Sequence, residues 1–241
     1  MPHRLPLPTL RRRCAAALAA LGLTATVLSG CSGGVGGLSQ QAVGAALPDP
    51  VDIGTGWELV GTTTQRPTQP PPGDAVTDAA ASEPACHDAL VALSGTAQEG
   101  NPTRFARSVY RHPSGTGPSA DRDLTLTVEA FGTPPDVPGR VRAVTAACTE
   151  KLTTAAGIRK VTMTIDEHRY KTPGAVGYTV LYSTDGLRYS YDYVAVTRGQ
   201  AVITASTTGP SAAANGVVLE RAITLATARL AAAQGGGPSP T

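Results

Sequence analysis

Residues 175–197 run AVGYTVLYSTDGLRYSYDYVAVT, from Ala175 to Thr197. Asp185-Gly186 lies between two stretches in which side-chain character alternates. Asp-Gly in that setting is the strongest short-range signal for a two-residue hairpin loop. With those residues as the loop, Thr184 pairs with Leu187, Tyr182 with Tyr189, Val180 with Tyr191 and Tyr178 with Tyr193. Side chains alternate between the faces of a strand, so Tyr178, Tyr182, Tyr189, Tyr191 and Tyr193 share one face. A one-residue slip would undo that shared face.

Working outward, four strand-like runs follow Gly157: 158–170, 175–184, 187–197 and 200–207, with Arg198-Gly199-Gln200 as the last turn. Upstream, Leu124, Leu126, Val128 and Ala130 alternate with Thr125, Thr127, Glu129 and Phe131 in a clear strand, Asp123 to Phe131. Thr103 to Arg111 reads as its neighbour. Trp57 to Thr64 reads as a first strand, with Trp57, the single tryptophan, as a core anchor. Pro67 to Ala81, with Pro70-Pro71-Pro72-Gly73, reads as a surface loop.

Three helices complete the pattern. Cys86, Leu90, Leu93 and Ala97 fall on one helical face beginning near Glu83-Pro84. Asp136 is a candidate N-cap with Pro138 in the first turn. Beyond it Val137, Val141, Val144, Cys148 and Leu152 form one helical stripe. Ser211 to Gln234 is Ala-rich with Val218, Ala222 and Leu225 in helical register, and Gly235 closes it. The order is β-α-β-β-α-β-β-β-β-α. Adjacent strands imply hairpins, so the fold class is α+β: a single domain with a central, mostly antiparallel sheet packed with helices.

The N-terminus carries a different message. Arg4 and Arg11-Arg12-Arg13 precede a short apolar run from Cys14 to Leu28, which ends in Leu28-Ser29-Gly30-Cys31. The uninterrupted apolar part is shorter than the roughly 18–20 residues of a membrane span. Basic start, short apolar core and small terminal residues are the layout of a secretory signal peptide. Leu-Ser-Gly-Cys resembles the lipobox of bacterial lipoproteins, and that resemblance implies cleavage before Cys31 and acylation of its thiol. Two or more acyl chains hold stably where one does not, at about 0.8 kcal/mol per buried CH2. The expected organisation is a signal peptide (1–30), a flexible Gly/Ser/Ala tether (31–47), the folded domain (48–234) and a disordered tail (235–241). The expected location is the outer face of the cell membrane, with the membrane as partner through a palmitate-type anchor on Cys31. The arginine triplet only weakly resembles a twin-arginine signal, which leaves the export route open.

The whole chain has 20 Lys+Arg and 18 Asp+Glu. Four arginines and no acid precede Cys31, so a chain starting there has 16 basic and 18 acidic residues, net −2. Nothing in this balance resembles the basic stripe of a nucleic-acid-binding protein. Richness in Ala, Gly, Thr and Arg with little Lys points to a high-GC actinobacterium. Cys86 and Cys148 remain once Cys14 is removed and Cys31 lipidated. An exported pair most simply forms a disulfide, with two buried thiols as the alternative. The bridge would close a loop of about 60 residues, on the order of 4 kcal/mol in the chain-entropy model.

Catalytic chemistry has no local signature. His87, His112 and His168 lack metal-ligand spacing, no Gly-x-Ser-x-Gly elbow is present, and no cofactor is implied. Gly33, Gly34, Gly36 and Gly37 lack the strand and helix that a phosphate loop needs. Glu167-His168 and His87-Asp88 are adjacent acid–base pairs that read as surface residues. The five hairpin tyrosines admit two readings: residues that suit half-buried strands, or the wall of a ligand or partner groove, with Arg188 or Arg198 adding charge at its rim.

The assembled pattern resembles the extracellular sensor-domain family of the mycobacterial receptor kinase PknH, found also in free-standing actinobacterial lipoproteins. The features carrying it are the lipobox, the Gly56-Trp57 opening, and Cys86 on the first helix. With them go Cys148 at the end of the Val-rich second helix, Val196-Thr197-Arg198-Gly199 before a late strand, and the closing amphipathic helix. The likeness spans roughly residues 48–234, and the layered fold of PsbP and Mog1 is its broader form. It implies a central antiparallel sheet and a ligand cleft without known enzymatic activity. The chain departs from that family in offering one cysteine pair where the kinase sensor has two disulfides. The functional expectation is a membrane-anchored, non-catalytic module that binds or senses an unknown small-molecule or protein ligand. An envelope-assembly or protein-interaction factor is the alternative, and a hydrolase of envelope components stands behind both.

Overall fold

The computed structural model describes residues 37–66, 79–96, 101–113, 121–156, 159–184 and 187–235. The central hairpin has the expected register: β6 (Val176–Thr184) and β7 (Leu187–Arg198) pair antiparallel, with Tyr178 opposite Tyr193, Val180 opposite Tyr191 and Tyr182 opposite Tyr189. The Asp185-Gly186 loop and the expected tail beyond Gly235 lie outside the described residues. β7 turns at Gly199, whose φ of 54° suits glycine, into β8 (Ala201–Gly209). On the other side β6 pairs with β5 (Arg159–Arg169), and β5 with β4 (Leu152–Ala156). β1 (Glu58–Thr63), β2 (Arg104–His112) and β3 (Arg122–Ala130) complete one antiparallel sheet in the order β1-β2-β3-β8-β7-β6-β5-β4.

Both faces of this sheet are buried over part of their area. One carries Ala106, Tyr110, Leu124, Leu126, Val128, Val194, Val196, Ile203 and Ala205. It is covered by α1 (Gln40–Ala45), α2 (Pro50–Ile53) and the C-terminal α5 (Ala212–Gly235). The other carries Met163, Ile165, Tyr178, Val180, Ala195 and Val202. Here α4 (Val137–Ala147) lies over β5, β6 and β7, with α3 (Pro84–Thr96) packed on α4. Cys86 and Cys148 are joined as a disulfide with Cα atoms 4.6 Å apart. The bond clips the start of α3 to the C-cap of α4. No described helix is long and apolar enough to cross a membrane.

The structure departs from the sequence-based expectation in four places. The expected order lacks β4, because Leu152 extends the helical stripe by spacing. Yet α4 stops at Ala147, and Leu152, 2% exposed, opens a strand opposite Met163. The tether expected over 31–47 is ordered in its second half. Ser39 accepts a hydrogen bond from the Ala42 N–H, α1 follows, and Val43 and Ala46 are fully buried. Asp49 and Pro50 then start α2 by an N-cap and a proline in the first turn. The described part of the domain therefore starts at Gly37, ahead of the expected boundary at residue 48. The expected surface loop 67–81 lies outside the described residues up to 78, but Ala79 and Ala80 at its end are buried in the second core. Phe131, expected on a polar face, is 3% exposed because that face is also covered there.

Long-range polar contacts tie the chain ends to the sheet. Arg229 on α5 donates to the Leu47 carbonyl at 2.9 Å and pairs with Asp52 at 2.5 Å. The Tyr110 hydroxyl, fully buried, donates to the Pro48 carbonyl at 2.6 Å. Asp192 is also fully buried. Its carboxylate accepts from Thr179 Oγ1 at 2.5 Å and from Asn215 Nδ2 at 2.8 Å, which fixes the first turn of α5 over the hairpin.

Candidate functional site

The five tyrosines do share one face, but they are unequally available. Tyr178 is 4% exposed, Tyr189 is 50% exposed, and Tyr182, Tyr191 and Tyr193 are half-buried. Tyr182 stacks on Tyr189 with ring centroids 4.7 Å apart, and Tyr178 on Tyr193 at 5.5 Å. Since α4 packs across β6 and β7, the inner rings belong to the second core. Arg188 is exposed and falls, by strand alternation, on the opposite face from Tyr189. Arg198 is turned to the Pro173 carbonyl at the other end of β7. Neither arginine stands at a rim of the tyrosine band.

A different charged group adjoins that band. The register sets Phe105 and Val202 on either side of Glu129, on an interior strand near the end of the sheet where β2 begins. Phe105 is 6% and Val202 1% exposed. A carboxylate between two apolar neighbours loses hydration. Burial therefore raises the Glu129 pKa, and the charge of Arg66 only partly opposes this. Arg66 Nε lies 3.4 Å from Glu129 Oε1. Arg107 pairs with Thr127, which makes it a diagonal cross-strand neighbour of Glu129, within reach of a long side chain. Arg66 Nη2 and Arg107 Nε are buried and meet no hydrogen-bond acceptor among the described residues. Burial, with Tyr191 and Glu129 nearby, pushes the Tyr193 hydroxyl far above the ordinary tyrosine range.

Beside this cluster, at the end of the sheet where β2 begins, is an open hollow of about 290 Å3. Its wall includes Gln40, Thr64, Arg66, Pro102, Arg104 and Phe105. Gln40 Nε2 donates to the Phe105 carbonyl at 2.8 Å, so α1 and β2 are pinned together at its floor. Periodicity gave no pointer to Arg66, Arg104 or Arg107. The one legible sign was an acid, Glu129, inside a Leu/Val/Thr strand.

The adjacent acid–base pairs are not assembled into a site. His87 Nδ1 is 3.5 Å from Asp88 Oδ1, and both residues lie at the surface. Glu167 is exposed, while His168 packs at 4.6 Å on Tyr170 and against Gly216 of α5. Among the described residues no three His, Cys, Asp or Glu side chains gather as a metal site.

Fold and site together define an α+β layered domain, with an eight-stranded antiparallel sheet, helices on both faces and a small arginine-walled hollow at one sheet end. The chain is similar in structure to the extracellular domain of PknH from Mycobacterium tuberculosis, with a TM-score of 0.54 and 11% identity. The likeness covers 84% of this chain and 100% of that domain, and at this identity it establishes the shared fold. No family model and no curated protein matches the sequence.

Proposed function

We propose that this protein is a lipid-anchored, extracytoplasmic lipoprotein whose single domain binds a ligand without catalysing a reaction on it. Leu28-Ser29-Gly30-Cys31 and the basic, short apolar leader support the anchor. The paired Cys86 and Cys148 fit an oxidising compartment. The observation that carries the binding role is the open hollow of about 290 Å3, walled by side chains of α1, β2 and the segment after β1. Its likeness in fold to an extracellular domain fits the same placement.

Two measurements test this. Mass spectrometry of the N-terminal peptide from membranes should find acylated Cys31 as the first residue, and Cys31→Ala should leave the protein as an uncleaved precursor. An unmodified Cys31, or a Cys31→Ala variant still cleaved before residue 31, would remove the anchor. Native mass spectrometry of the protein extracted from membranes should show a bound small molecule; repeated recovery of the bare protein would remove the ligand.

A second reading rests on β1, the sheet edge. All its residues are exposed, with Leu59 at 49% and Val60 at 56%. An edge strand with free backbone groups can accept a partner strand. Site-specific crosslinking from position 60 in cells would distinguish such an interaction factor from a small-molecule binder.

A further inference from the structure

Resting on the ligand-binding reading, we propose that the hollow at the start of β2 takes a small organic oxyanion, with its charged oxygens on Arg66 and Arg104 and its apolar part against Phe105 and Pro102. Among the described residues the wall holds these two arginines and no acid. Guanidinium groups without a wall carboxylate select for an anion, and their flat N–H array suits carboxylate or phosphate oxygens.

Arg66 is held for this task from behind. Its Nε faces Glu129 at 3.4 Å, while Nη2 is buried with no acceptor among the described residues. A buried N–H without an acceptor is uncommon in folded proteins, and Arg66 lines the hollow, so a small turn of its guanidinium would bring that N–H to a ligand oxygen. Glu129 is confined between Phe105 and Val202, so it orients the arginine without entering the wall. Arg107, opposite Thr127 and so diagonal to Glu129, is a further cation on the same face of the sheet.

The remaining wall complements an organic body. Pro102 and the edge of the largely buried Phe105 give the wall its apolar part, and Thr64, Asn101 and Thr103 supply short polar groups. The volume of about 290 Å3 lies at the lower limit of small-molecule sites and suits a small ligand.

Carboxylate and phosphate share this chemistry, and titration of the full chain, extracted from membranes in detergent, separates them. Calorimetry with benzoate and with phenyl phosphate should detect binding of at least one. Benzamide, the uncharged counterpart of benzoate, should bind at least about tenfold more weakly, as expected for the loss of one charge-assisted contact. Arg104→Gln should weaken the bound anion by a similar factor, and Arg111→Gln, remote from the hollow, should leave it unchanged. Arg66→Gln leaves Glu129 unpaired, so Arg66→Gln/Glu129→Gln is the second variant and should lose anion binding while remaining folded by circular dichroism.

Binding of neither anion, equal binding of benzamide, or indifference to Arg66 and Arg104 would overturn the site. A co-purified ligand in native mass spectrometry, together with failure of both anions, would remove the site and leave the binding role standing.

Discussion

Two glutamates in this domain feel opposite fields, and they should answer pH with opposite signs. Glu129 is desolvated between Phe105 and Val202, and this outweighs the attraction of Arg66, so its pKa is raised. The folded protein then holds that proton more tightly than the unfolded chain, and stability is lost as pH rises through the interval between the two values. Glu129→Gln should therefore melt higher than the parent at neutral pH, with the gap closing as pH falls below the ordinary carboxylate range. Burial also acts to raise Glu220. Hydrogen bonds from the Thr172 hydroxyl, the Lys171 and Thr172 N–H groups and the Thr224 hydroxyl outweigh it, and the net shift is downward. Its contribution is present above the unfolded value and lost as pH falls through the folded one. Glu220→Gln should melt lower than the parent at neutral pH, and its gap should close in acid. Thermal melts of both variants from neutral pH to pH about 3 check the signs. At this scale the sequence was partly legible. Alternation put Glu129 on the correct face, but the neighbours that desolvate it come from β2 and β8, which no local pattern joins to β3.

At the scale of elements, periodicity worked where a segment has one buried face, and failed where two elements meet. The stripe Val137, Val141, Val144 and Cys148 is real, and all four side chains are buried. Leu152 continues the same spacing, yet the chain has left the helix and begun β4. A buried residue at the expected interval cannot distinguish a further helical turn from the first residue of a strand packed against the same core. The disulfide belongs to this scale too. It links α3 to the end of α4 across 62 residues. Cys86→Ala/Cys148→Ala should lower unfolding stability by about 4 kcal/mol, read as a lower midpoint in urea. An unchanged midpoint would show that the pairing of α3 and α4 holds without the bond.

For the whole molecule, the N-terminal boundary is the main revision. Residues 37–47 look like a linker because they are uncharged, small and glycine-bearing. Their caps, Ser39 and Asp49-Pro50, carried the contrary signal, but α1 is too short to form without a surface to cover. That surface is β2, β3 and α5, brought together from distant parts of the chain. A protein starting at Gly37 should keep the parent melting temperature. One starting at Pro48 should lose several degrees, since Val43 and Ala46 are fully buried and Leu47 nearly so. Burial of a side chain the size of Val or Leu contributes about 1.5–3 kcal/mol, and calorimetry of the two truncations measures the difference.

The hairpin register and the pairing of Cys86 with Cys148 could both be read from the sequence. The first depends on strict alternation about a two-residue loop, the second on two cysteines that each fall on the apolar stripe of a helix. Tertiary structure alone decided that α1 joins the core, that the inner tyrosines pack beneath α4, and that Arg66 meets Glu129. These contacts join β1, β2, β3, β7 and the helices across the sheet. Burial and charge at such sites are set by which strands become neighbours, a property of the closed sheet that no single stretch of sequence contains.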